Sequence, residues 1–442
     1  MRGCRCGGGC RLRSGDGPFG TGGRDAAKAG GGGYNAAMDG DYDVLVAGGG
    51  LVGATLAGAL GQRAGLRVAV VDQSPPPPWP GGAYHARVSA VNRASQTVLE
   101  NLGAWEAIAA RRAHAFCAVA ACAAGSGEVL FHAADIGETH LGHMVENNLI
   151  IRALTERAGD SVARITDSIT AVHQDAAGVT AVTAKHGELR ARVLAACDGP
   201  GSTVRAQCGF ATSGGDYRQR CIVANVQFDG DHRRTAWQRF LPDGPLGILP
   251  LAAGHCSIAW SCADARAAEI AAMDDAGFTA ALAEALAGRL GAITEVGPRL
   301  SFALSHLRAA HYVERRVVLV GDAAHVVHPL AGLGANLGIM DAAALATPLL
   351  EAHAAGRDPG AQLVLRRYER RRRAENAAVH AVLHTFNMVF TRDHLQSGTA
   401  GMVDAALNFA NRVQPAKNLL MQLAAGLGGD LPGLARPVLR GG

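Results

Sequence analysis

The sequence lacks the charge pattern of a nucleic-acid-binding protein. Arginine supplies almost all of its positive charge, lysine occurs only at positions 28, 185 and 417, and the formal net charge is +4 over 442 residues. The densest basic run, residues 366–373, also contains tyrosine and glutamate and favours a solvated helix face over a basic stripe with aromatic partners. We therefore expect no nucleic-acid partner.

Cysteine patterning excludes the common metal and disulfide frameworks. The cysteines between residues 117 and 262 show no CxxC pair and no other metal spacing, and Cys4, Cys6 and Cys10 have no second ligand pair. We find no secretory signal. We therefore predict no metal site and the reduced thiols of a cytoplasmic protein.

Long uninterrupted apolar runs are also missing. Two long stretches without formal charge, residues 244–263 and 323–340, contain prolines, glycines and histidines, so we predict no transmembrane helix. Residues 1–37 are rich in glycine and poor in apolar side chains, and we expect them to form a disordered tail. Because Met38 lies just before the first predicted strand, an over-extended gene start is a further hypothesis.

The patterns that are present indicate an α/β chain whose predicted secondary structure changes from parallel to antiparallel strands in its middle. Residues 42–72 read as a strand, a helix and a second strand, the expected start of a parallel sheet. Short alternating runs between residues 221 and 262 predict an antiparallel sheet, and an Ala-rich helical stretch follows at 265–290. Residues 316–320 return to a buried parallel-type strand, and the chain after Met340 has a helical pattern.

The first motif, GxGxxG, lies between the first predicted strand and the first helix. Gly48 permits a tight turn, Gly50 lets the backbone approach a pyrophosphate, and Gly53 lets the helix pack closely on the strand. The helix N-terminus adds N–H groups and the positive end of its dipole. Asp72 follows the second strand, where a carboxylate can accept hydrogen bonds from a ribose diol. This motif indicates a dinucleotide site without distinguishing FAD from NAD.

Two further segments also follow predicted strands. Asp198 and Gly199 come between an apolar strand and a helix start, and by themselves they fit either an Asp-Gly turn or a ligand site. Asp322 follows a later buried strand and can accept hydrogen bonds from ribityl hydroxyls. Gly332 and Gly334 leave room for a flat ring and direct backbone N–H groups toward it. This third segment predicts a flavin site.

Together these motifs resemble the aromatic-hydroxylase class of FAD monooxygenases, and within it the ubiquinone-biosynthesis hydroxylases. The resemblance runs from about Asp41 to Leu434, with further matches at residues 87–91, 102–105, 141–147, 238–251 and 426–432. It implies the α/β aromatic hydroxylase fold: a Rossmann-like FAD-binding domain at 38–212 and 305–360, an inserted antiparallel-sheet substrate domain at 213–304, and a C-terminal helical region at 361–442.

The resemblance also implies roles for individual residues. Arg87 and Asn147 lie where the family contacts the flavin. Asp322 would hold the ribityl chain, and Pro329 would lie beside the isoalloxazine ring. The predicted cofactor-binding residues are therefore Gly48, Gly50, Gly53, Asp72, Arg87, Asn147, Asp198, Gly199, Asp322, Pro329, Gly332, Gly334 and Asn336. One departure is Leu333, where the family usually has glutamine.

No side chain is assigned to the chemical step. In this class NADPH or NADH reduces FAD, and oxygen reaches the substrate ring through a flavin C4a-hydroperoxide. His325 and His328 are candidates for a base acting on a phenol, although packing or hydrogen bonding within their loop is the plainer interpretation. Arg239 is a third candidate, with an ion pair at the surface or between domains equally open. Trp237 and Phe240 fit either a pocket wall or the core.

The resemblance implies hydroxylation, with O₂, of the aromatic ring of a polyprenylated phenol or quinone precursor in ubiquinone biosynthesis. Two alternatives stay open: a non-catalytic flavoprotein subunit of a quinone-biosynthesis complex, which Leu333 slightly supports, and a flavin-dependent reductase of another substrate. A halogenase is disfavoured because its WxWxIP signature is absent. Because such a substrate is membrane-embedded, peripheral contact with the inner face of the membrane is a hypothesis, with Leu407–Leu423 as a candidate surface.

Overall fold

The structure is a computed structural model that describes residues 42–62, 64–123, 128–389, 421–422, 424–428 and 430–437. The predicted disordered tail at 1–37 and nearly all of the apolar segment at 407–423 lie outside the described residues.

The described strands are β1 (Tyr42–Ala47), β2 (Val68–Asp72), β3 (Val88–Asn92), β4 (His114–Phe116), β5 (Ala118–Ala123), β6 (Glu128–His132), β7 (Gly142–Glu146), β8 (Val162–Thr166), β9 (Ile169–Gln174), β10 (Val179–Thr183), β11 (Gly187–Ala196), β12 (Thr212–Phe228), β13 (Thr235–Leu241), β14 (Gly244–Pro250), β15 (His255–Ala263), β16 (Ile293–Val296), β17 (Leu300–Ala309), β18 (Val313–Glu314), β19 (Val317–Leu319) and β20 (His325–Val326). The described α-helices are α1 (Leu51–Gly61), α2 (Arg93–Asn101), α3 (Trp105–Arg112), α4 (Asn147–Ala158), α5 (Thr203–Gln207), α6 (Asp264–Ala272), α7 (Asp275–Leu286), α8 (Leu333–Ala354) and α9 (Gln362–Val389).

The first sheet is parallel at its centre, in the order β19-β11-β1-β2-β8. Val44 of β1 pairs with Val193 of β11 on one side and with Val68 of β2 on the other. The apolar residues of β1 are almost fully buried, as expected for a strand covered on both faces. The strand–helix–strand prediction for residues 42–72 is confirmed by β1, α1 and β2.

Four long helices pack beside this sheet, with α1 against α4 and α8, and α8 against α9. Among the described helices, α8 has the length and apolar composition to cross a bilayer, but 67% of its most apolar stretch is buried inside the protein. Such burial is typical of a core helix in an α/β domain.

The second sheet is mostly antiparallel and confirms the prediction for residues 221–262. It is larger than predicted, because β5 and β6 enter it through a parallel pairing of β5 with β13. Pairing between strands so distant in sequence has no local signal. The domain boundaries at 212, 305 and 360 stay a prediction.

Helices α6 and α7 cover one face of the second sheet and close an apolar core with it. The predicted helical stretch at 265–290 is therefore two helices. The break has a local cause, since the Asp274 carboxylate accepts a hydrogen bond from Gly277 N (2.7 Å) and caps α7.

A third sheet, in the order β3-β7-β4, shares a smaller apolar cluster with the second sheet. This central apolar cluster contains Phe116, Ala133, Leu141, Met144, Ala236, Leu251 and Met421.

Candidate functional site

The three predicted cofactor segments meet at one edge of the parallel sheet. Strands β1, β11 and β19 are parallel neighbours, so the loops that follow their carboxyl ends lie side by side. Cys197 N donates to Ala47 O (2.8 Å), and Val320 N donates to Ala196 O (3.0 Å), so the strand pairing continues up to the loops.

The glycines of the first loop have different surroundings. Gly48 has a φ of +94°, and a Cβ there would lie 2.5 Å from the Cys197 carbonyl oxygen. A Cβ at Gly53 would lie 1.9 Å from the Gly48 carbonyl oxygen, whereas a Cβ at Gly50 meets no atom within 4 Å. Helix α1 begins beside this open space without a side-chain cap. Uncapped N–H groups facing open space suit a pyrophosphate.

Asp72 lies at the end of β2, next to the first loop. Its Oδ2 accepts from Gly49 N (2.6 Å) and its Oδ1 accepts from Ser74 N (2.8 Å), which leaves further lone pairs on both oxygens. The carboxylate borders a cavity of about 250 Å³. The cavity is lined by Gly49, Gly50, Val70, Asp72, Ser74, Pro75, Pro76, Pro77, Asn148, Ile151, Arg164, Ile165 and Thr166. A cavity with apolar walls and a carboxylate suits an adenosine.

Trp79 anchors the proline-rich loop that forms one wall of this cavity. Its Nε1 donates to Glu156 Oε2 in α4 (2.8 Å), and the Arg111 guanidinium lies 3.6 Å from its ring centroid. The wall is therefore attached to both α3 and α4.

Asp198 shapes the second segment. Its Oδ1 accepts from Ser202 Oγ (2.6 Å) and its Oδ2 accepts from Val204 N (3.2 Å), so the carboxylate holds the turn into α5. Gly199 has a φ of +83° with open space around its Cα. The Arg205 guanidinium connects the second and third segments. It donates to the Pro200 carbonyl (2.7 Å) and to the Ala323 carbonyl (3.0 Å). Cofactor contact by Asp198 and Gly199 stays a prediction.

Asp322 follows β19 in a short helical turn, where its side chain keeps contact with solvent while protein atoms crowd it on its other sides. Desolvation by surrounding protein raises the pKa of its carboxyl. The charge of His325 opposes that shift, Asp341 reinforces it and Arg87 opposes it. None of the described residues donates a hydrogen bond to this carboxyl. It therefore has acceptor capacity for hydroxyl groups, as the ribityl prediction requires.

Arg87 and Asn147 lie on neighbouring segments beside Asp322. The Arg87 side chain is exposed, and Asn147 N donates to the Arg87 carbonyl (3.0 Å). The Asn147 Oδ1 accepts from Ser89 Oγ (2.6 Å). Arg87 is therefore close enough to act on the Asp322 pKa, and the amide of Asn147 is oriented by β3.

The third segment continues through a short helical turn at Pro329 into α8. Gly332 has a φ of +60° and precedes α8, which also begins without a side-chain cap. A Cβ at Gly334 would meet its nearest atom only at 3.8 Å. Asn336 fastens this helix start to β3: its Nδ2 donates to Ala90 O (2.7 Å), and its Oδ1 accepts from a second β3 N–H (3.0 Å). The predicted cofactor contact of Asn336 would therefore act through its backbone or through the loop that it holds.

His325 belongs to a fully buried polar network on α8 and α9. Its Nε2 lies 2.5 Å from Asp341 Oδ2, which also accepts from Gly321 N (3.2 Å). Asp341 Oδ1 accepts from Arg372 Nε (2.7 Å) and Asn376 Nδ2 (3.0 Å). Burial acts to raise the pKa of Asp341, but the charges and hydrogen bonds of His325 and Arg372 outweigh it and hold the pKa well below its usual range.

Sequence reasoning missed Asp341 and its partners Arg372 and Asn376. The expectation of a solvated face for residues 366–373 is wrong at Arg372, which is buried against Asp341. Asp341 is the one acidic residue in the buried part of an Ala/Leu-rich helix, and such a carboxylate needs a charged partner. Arg372 and Asn376, four residues apart on α9, were the available sign of that partner. Asp341 holds both Gly321 and His325, so it fixes the turn that carries Asp322.

The other two catalytic candidates lie in different surroundings. His328 is buried, and burial lowers its pKa to about 4. The Arg239 guanidinium donates to the Ala285 carbonyl in α7, on the same side as Trp237, which packs against the core shared with α6 and α7. Alternate residues of β13 point the other way, and Ala236 belongs to the central apolar cluster. A substrate role for Arg239 has no support from this geometry.

These residues fit FAD along the sheet edge. The open space at Gly50 suits the pyrophosphate, the cavity beside Asp72 suits the adenosine, and the unbonded carboxyl of Asp322 suits the ribityl chain. Two uncapped helix starts, α1 and α8, direct their dipoles toward the same edge. Within the described residues, no group of three or more His, Cys, Asp or Glu could hold a metal ion.

Comparison with known proteins gives the same assignment. Residues 41–382 match the family described as FAD binding domain. The chain is 35% identical to ubiquinone hydroxylase UbiL of Rhodospirillum rubrum, over 90% of this chain and 93% of that one. It is 34% identical to 3-demethoxyubiquinol 3-hydroxylase of Escherichia coli (79% and 90% covered) and 30% identical to the human mitochondrial ubiquinone biosynthesis monooxygenase COQ6 (88% and 94%).

Solved structures agree in fold. The anhydrotetracycline hydroxylase OxyS of Streptomyces rimosus superposes with a TM-score of 0.68 at 25% identity, covering 89% of this chain and 77% of that one. The p-nitrophenol 4-monooxygenase PnpA of Pseudomonas putida superposes with a TM-score of 0.70 at 23% identity, covering 88% and 98%. The chain therefore belongs to the FAD-binding aromatic hydroxylases, in the family of ubiquinone-biosynthesis hydroxylases, and is an FAD-dependent monooxygenase.

Proposed function

We propose that this enzyme hydroxylates the aromatic ring of a polyprenylated phenol or quinone precursor in ubiquinone biosynthesis, with O₂ and with NADPH or NADH as reductant. The observation that carries the proposal is the meeting of all three cofactor segments at one sheet edge, in a chain 35% identical over 90% of its length to a ubiquinone hydroxylase.

The roles of the protein follow from the site. When bound, FAD takes electrons from the nicotinamide and activates O₂ for transfer of one oxygen to the ring. The first loop would hold the pyrophosphate, Asp72 the ribose and Asp322 the ribityl hydroxyls. The Asp341 network holds the Asp322 turn in one position.

The central apolar cluster supports a hydrophobic substrate. It lies between β7 and β13, and Ala90 beside it also faces Gly332 of the flavin loop, at 3.5 Å from the Cβ position of that glycine. Apolar side chains next to the flavin would seat a prenylated ring and exclude water.

The test is mass spectrometry of quinone intermediates in a cell without the gene. The accumulated precursor names the ring position, and the wild-type gene should clear it while a Gly50→Ala gene should not. An unchanged quinone pool, with no redundant enzyme present, would contradict the proposal.

The alternative of a non-catalytic flavoprotein subunit rests on Leu333, which opens α8 in the flavin loop. It predicts bound FAD without substrate-stimulated NAD(P)H oxidation. The purified enzyme should instead consume NADPH or NADH faster when a prenylated phenol is added, and absence of any stimulation would favour the subunit.

We further propose a cytoplasmic location with peripheral contact at the inner face of the membrane. On α9, Leu363 is 73% exposed, and Arg366 and Arg370, three and seven residues later, are exposed on the same face of the helix. Apolar and basic side chains together suit an anionic lipid surface. In liposome flotation, the wild-type protein should float with anionic vesicles, and the Arg366→Glu/Arg370→Glu variant should float less. If the wild-type protein floats with vesicles of no composition, the membrane contact is excluded.

Membership of a quinone-biosynthesis complex is a separate proposal. A tagged chain should co-purify with other enzymes of that pathway from cells grown aerobically, and a tagged chain recovered alone at native expression level would contradict it.

A further inference from the structure

His328 has one buried ring nitrogen that the described protein does not use. The residue is 1% exposed, and its Nδ1 has no hydrogen-bond partner among the described residues. Its Nε2 lies 3.3 Å from Gln219 Oε1 in β12. His328 directly precedes Pro329, which starts the turn into α8. Burial removes the hydrogen bond between such a nitrogen and water, which costs free energy unless a ligand supplies a new hydrogen-bond partner.

The contact with Gln219 decides what kind of group is missing. Because the amide oxygen only accepts, Nε2 must carry the proton, and Nδ1 is then the unprotonated nitrogen of a neutral ring. Burial lowers the pKa of His328 to about 4, so the ring is neutral at physiological pH. The unused atom is therefore an acceptor, and its partner must be an N–H or O–H donor. An anion or a second acceptor would not satisfy it.

A bulge in β12 brings the residues that hold His328. The pairing with β17 shifts between Asp216 and Gln219, and Arg218 within the bulge has a φ of +53°. The ring of Tyr217 meets the His328 ring edge-on, with centroids 5.3 Å apart. Bulges of this kind redirect side chains next to functional sites. One bulge therefore supplies both the hydrogen bond and the ring contact that orient His328.

The titratable neighbours of His328 come from β12, β17, β20, α8 and α9. Burial raises the pKa of Tyr217 to about 12, and the Tyr217 hydroxyl lies 3.0 Å from His384 Nδ1 on α9. His306 on β17 stacks obliquely on Tyr217, and burial followed by repulsion from His384 lowers the pKa of His306. The His325–Asp341 pair lies at the other end of the loop. None of these contacts reaches Nδ1 of His328.

We propose that Nδ1 of His328 accepts a hydrogen bond from a donor bound beside Pro329, and that Gln219 is the positioning residue that keeps this nitrogen unprotonated. Two donors have this chemistry: an N–H of the flavin ring and the hydroxyl of a phenolic substrate. Only the second source rests on the proposed function.

Two measurements separate the sources. FAD is titrated into the apoprotein without substrate, following fluorescence and the visible absorption bands. Separately, the FAD-loaded, oxidised enzyme is titrated anaerobically with 2-(3-methylbut-2-enyl)phenol, following the ultraviolet phenolate band against pH. If the flavin N–H is the donor, His328→Ala should weaken FAD binding about tenfold. If the phenol hydroxyl is the donor, it should instead weaken phenol binding about tenfold. It should also shift the flavin bands in the first case, or the phenol ionisation in the second.

Substitutions with matched geometry test the atom itself. His328→Asn keeps a polar atom near the Nδ1 position and should restore part of the loss, whereas His328→Gln keeps one near Nε2 and should not. His306→Gln is the control, because His306 also contacts Tyr217 but lies outside the flavin loop. Changes below about twofold in both titrations with a folded His328→Ala protein would overturn the proposal.

A second observation covers the case in which His328→Ala does not fold. In ¹⁵N spectra of histidine-labelled apoprotein, the signal that disappears in His328→Asn should show an unprotonated Nδ1 and a protonated Nε2 at pH 7. Gln219→Leu should mix the two tautomers and weaken the same titration. A protonated Nδ1 in the wild-type protein would also overturn the proposal. Neither this measurement nor the FAD titration uses a quinone precursor, so their failure is distinct from failure of the proposed function.

Discussion

Gly50 and Gly53 lie three residues apart after β1, yet the two positions require glycine for different reasons. At Gly53 a Cβ would collide with the Gly48 carbonyl, and at Gly50 it would enter open space on a backbone with a φ of −65° that any residue can adopt. Gly53 is therefore needed for folding, and Gly50 for the ligand.

The pair Gly50→Ala and Gly53→Ala should separate these requirements. Gly50→Ala should leave the thermal midpoint of the apoprotein nearly unchanged while weakening FAD binding at least about tenfold, because the methyl group occupies the pyrophosphate position. Gly53→Ala should not yield a stable fold. Thermal melting and FAD titration measure both, and a Gly50→Ala protein with wild-type FAD affinity would contradict the placement of the pyrophosphate.

The ionised carboxylate of Asp322 should lower the free energy of unfolding of the apoprotein. Its folded-state pKa is raised, first by desolvation, so its protonated form favours the native state and that contribution is lost as pH rises through the folded pKa. At pH 7 the Asp322→Asn apoprotein should therefore be more stable than wild type, and the difference should vanish below about pH 4. FAD affinity should fall at the same time. Thermal melting of both apoproteins between pH 4 and pH 7 measures the difference. A less stable Asp322→Asn apoprotein at pH 7 would contradict the raised pKa of Asp322.

Helices α8 and α9 join through charge as well as apolar packing. Asp341 on α8 is fully buried, Arg372 on α9 is 4% exposed, and the turn with Gly321 and His325 is attached to the same carboxylate. The helix pair and the flavin loop therefore form one structural unit.

Removing the charge of Asp341 should be costly and pH-dependent. Asp341→Asn leaves the buried Arg372 with only the partly exposed Glu375 as a counter-charge. It should therefore lower the free energy of unfolding by about 3 kcal/mol at pH 7, the lower end of the range for breaking a buried ion pair. Because the folded pKa of Asp341 is depressed, its stabilisation exists above the unfolded pKa of about 4 and is lost as pH falls, so the deficit should shrink in acid. Urea unfolding of the apoprotein measures the effect.

Glu351→Gln in the same helix is the control. The Glu351–Arg367 pair (2.7 Å) is about half exposed on both sides, so its loss should change stability by less than about 1 kcal/mol. Equal effects of Asp341→Asn and Glu351→Gln would show that burial of the network has no energetic consequence.

The candidate cofactor site extends along the edge of the parallel sheet, from Asp72 at the end of β2 to Asp322 after β19. FAD is long enough to span this edge, whereas FMN lacks the adenosine that suits the cavity beside Asp72. FAD at a hundred times its Kd should stabilise the protein by about 2.7 kcal/mol. FMN at the same concentration should raise Tm much less. Equal shifts in Tm with the two flavins would contradict the adenosine assignment.

The cofactor loops could be predicted because their signals are local. A buried strand, a glycine turn and a helix start occupy consecutive residues, and parallel strands bring their carboxyl ends to one edge whatever their order. The predicted segments at Gly48–Gly53, Asp198 and Asp322 lie side by side after β1, β11 and β19. Their individual contacts with FAD stay predictions.

The other features depend on pairings that sequence neighbours do not encode. The entry of β5 and β6 into the second sheet, the orientation of Arg239 toward α7 and the meeting of Gln219 with His328 each join distant segments. From the sequence alone came the cofactor class and its loops, because strand–turn–helix geometry is set by consecutive residues. Which buried polar groups satisfy one another, and which nitrogen is left for a ligand, was decided only by tertiary structure, because burial and hydrogen-bond partners exist only once the sheets and helices have packed.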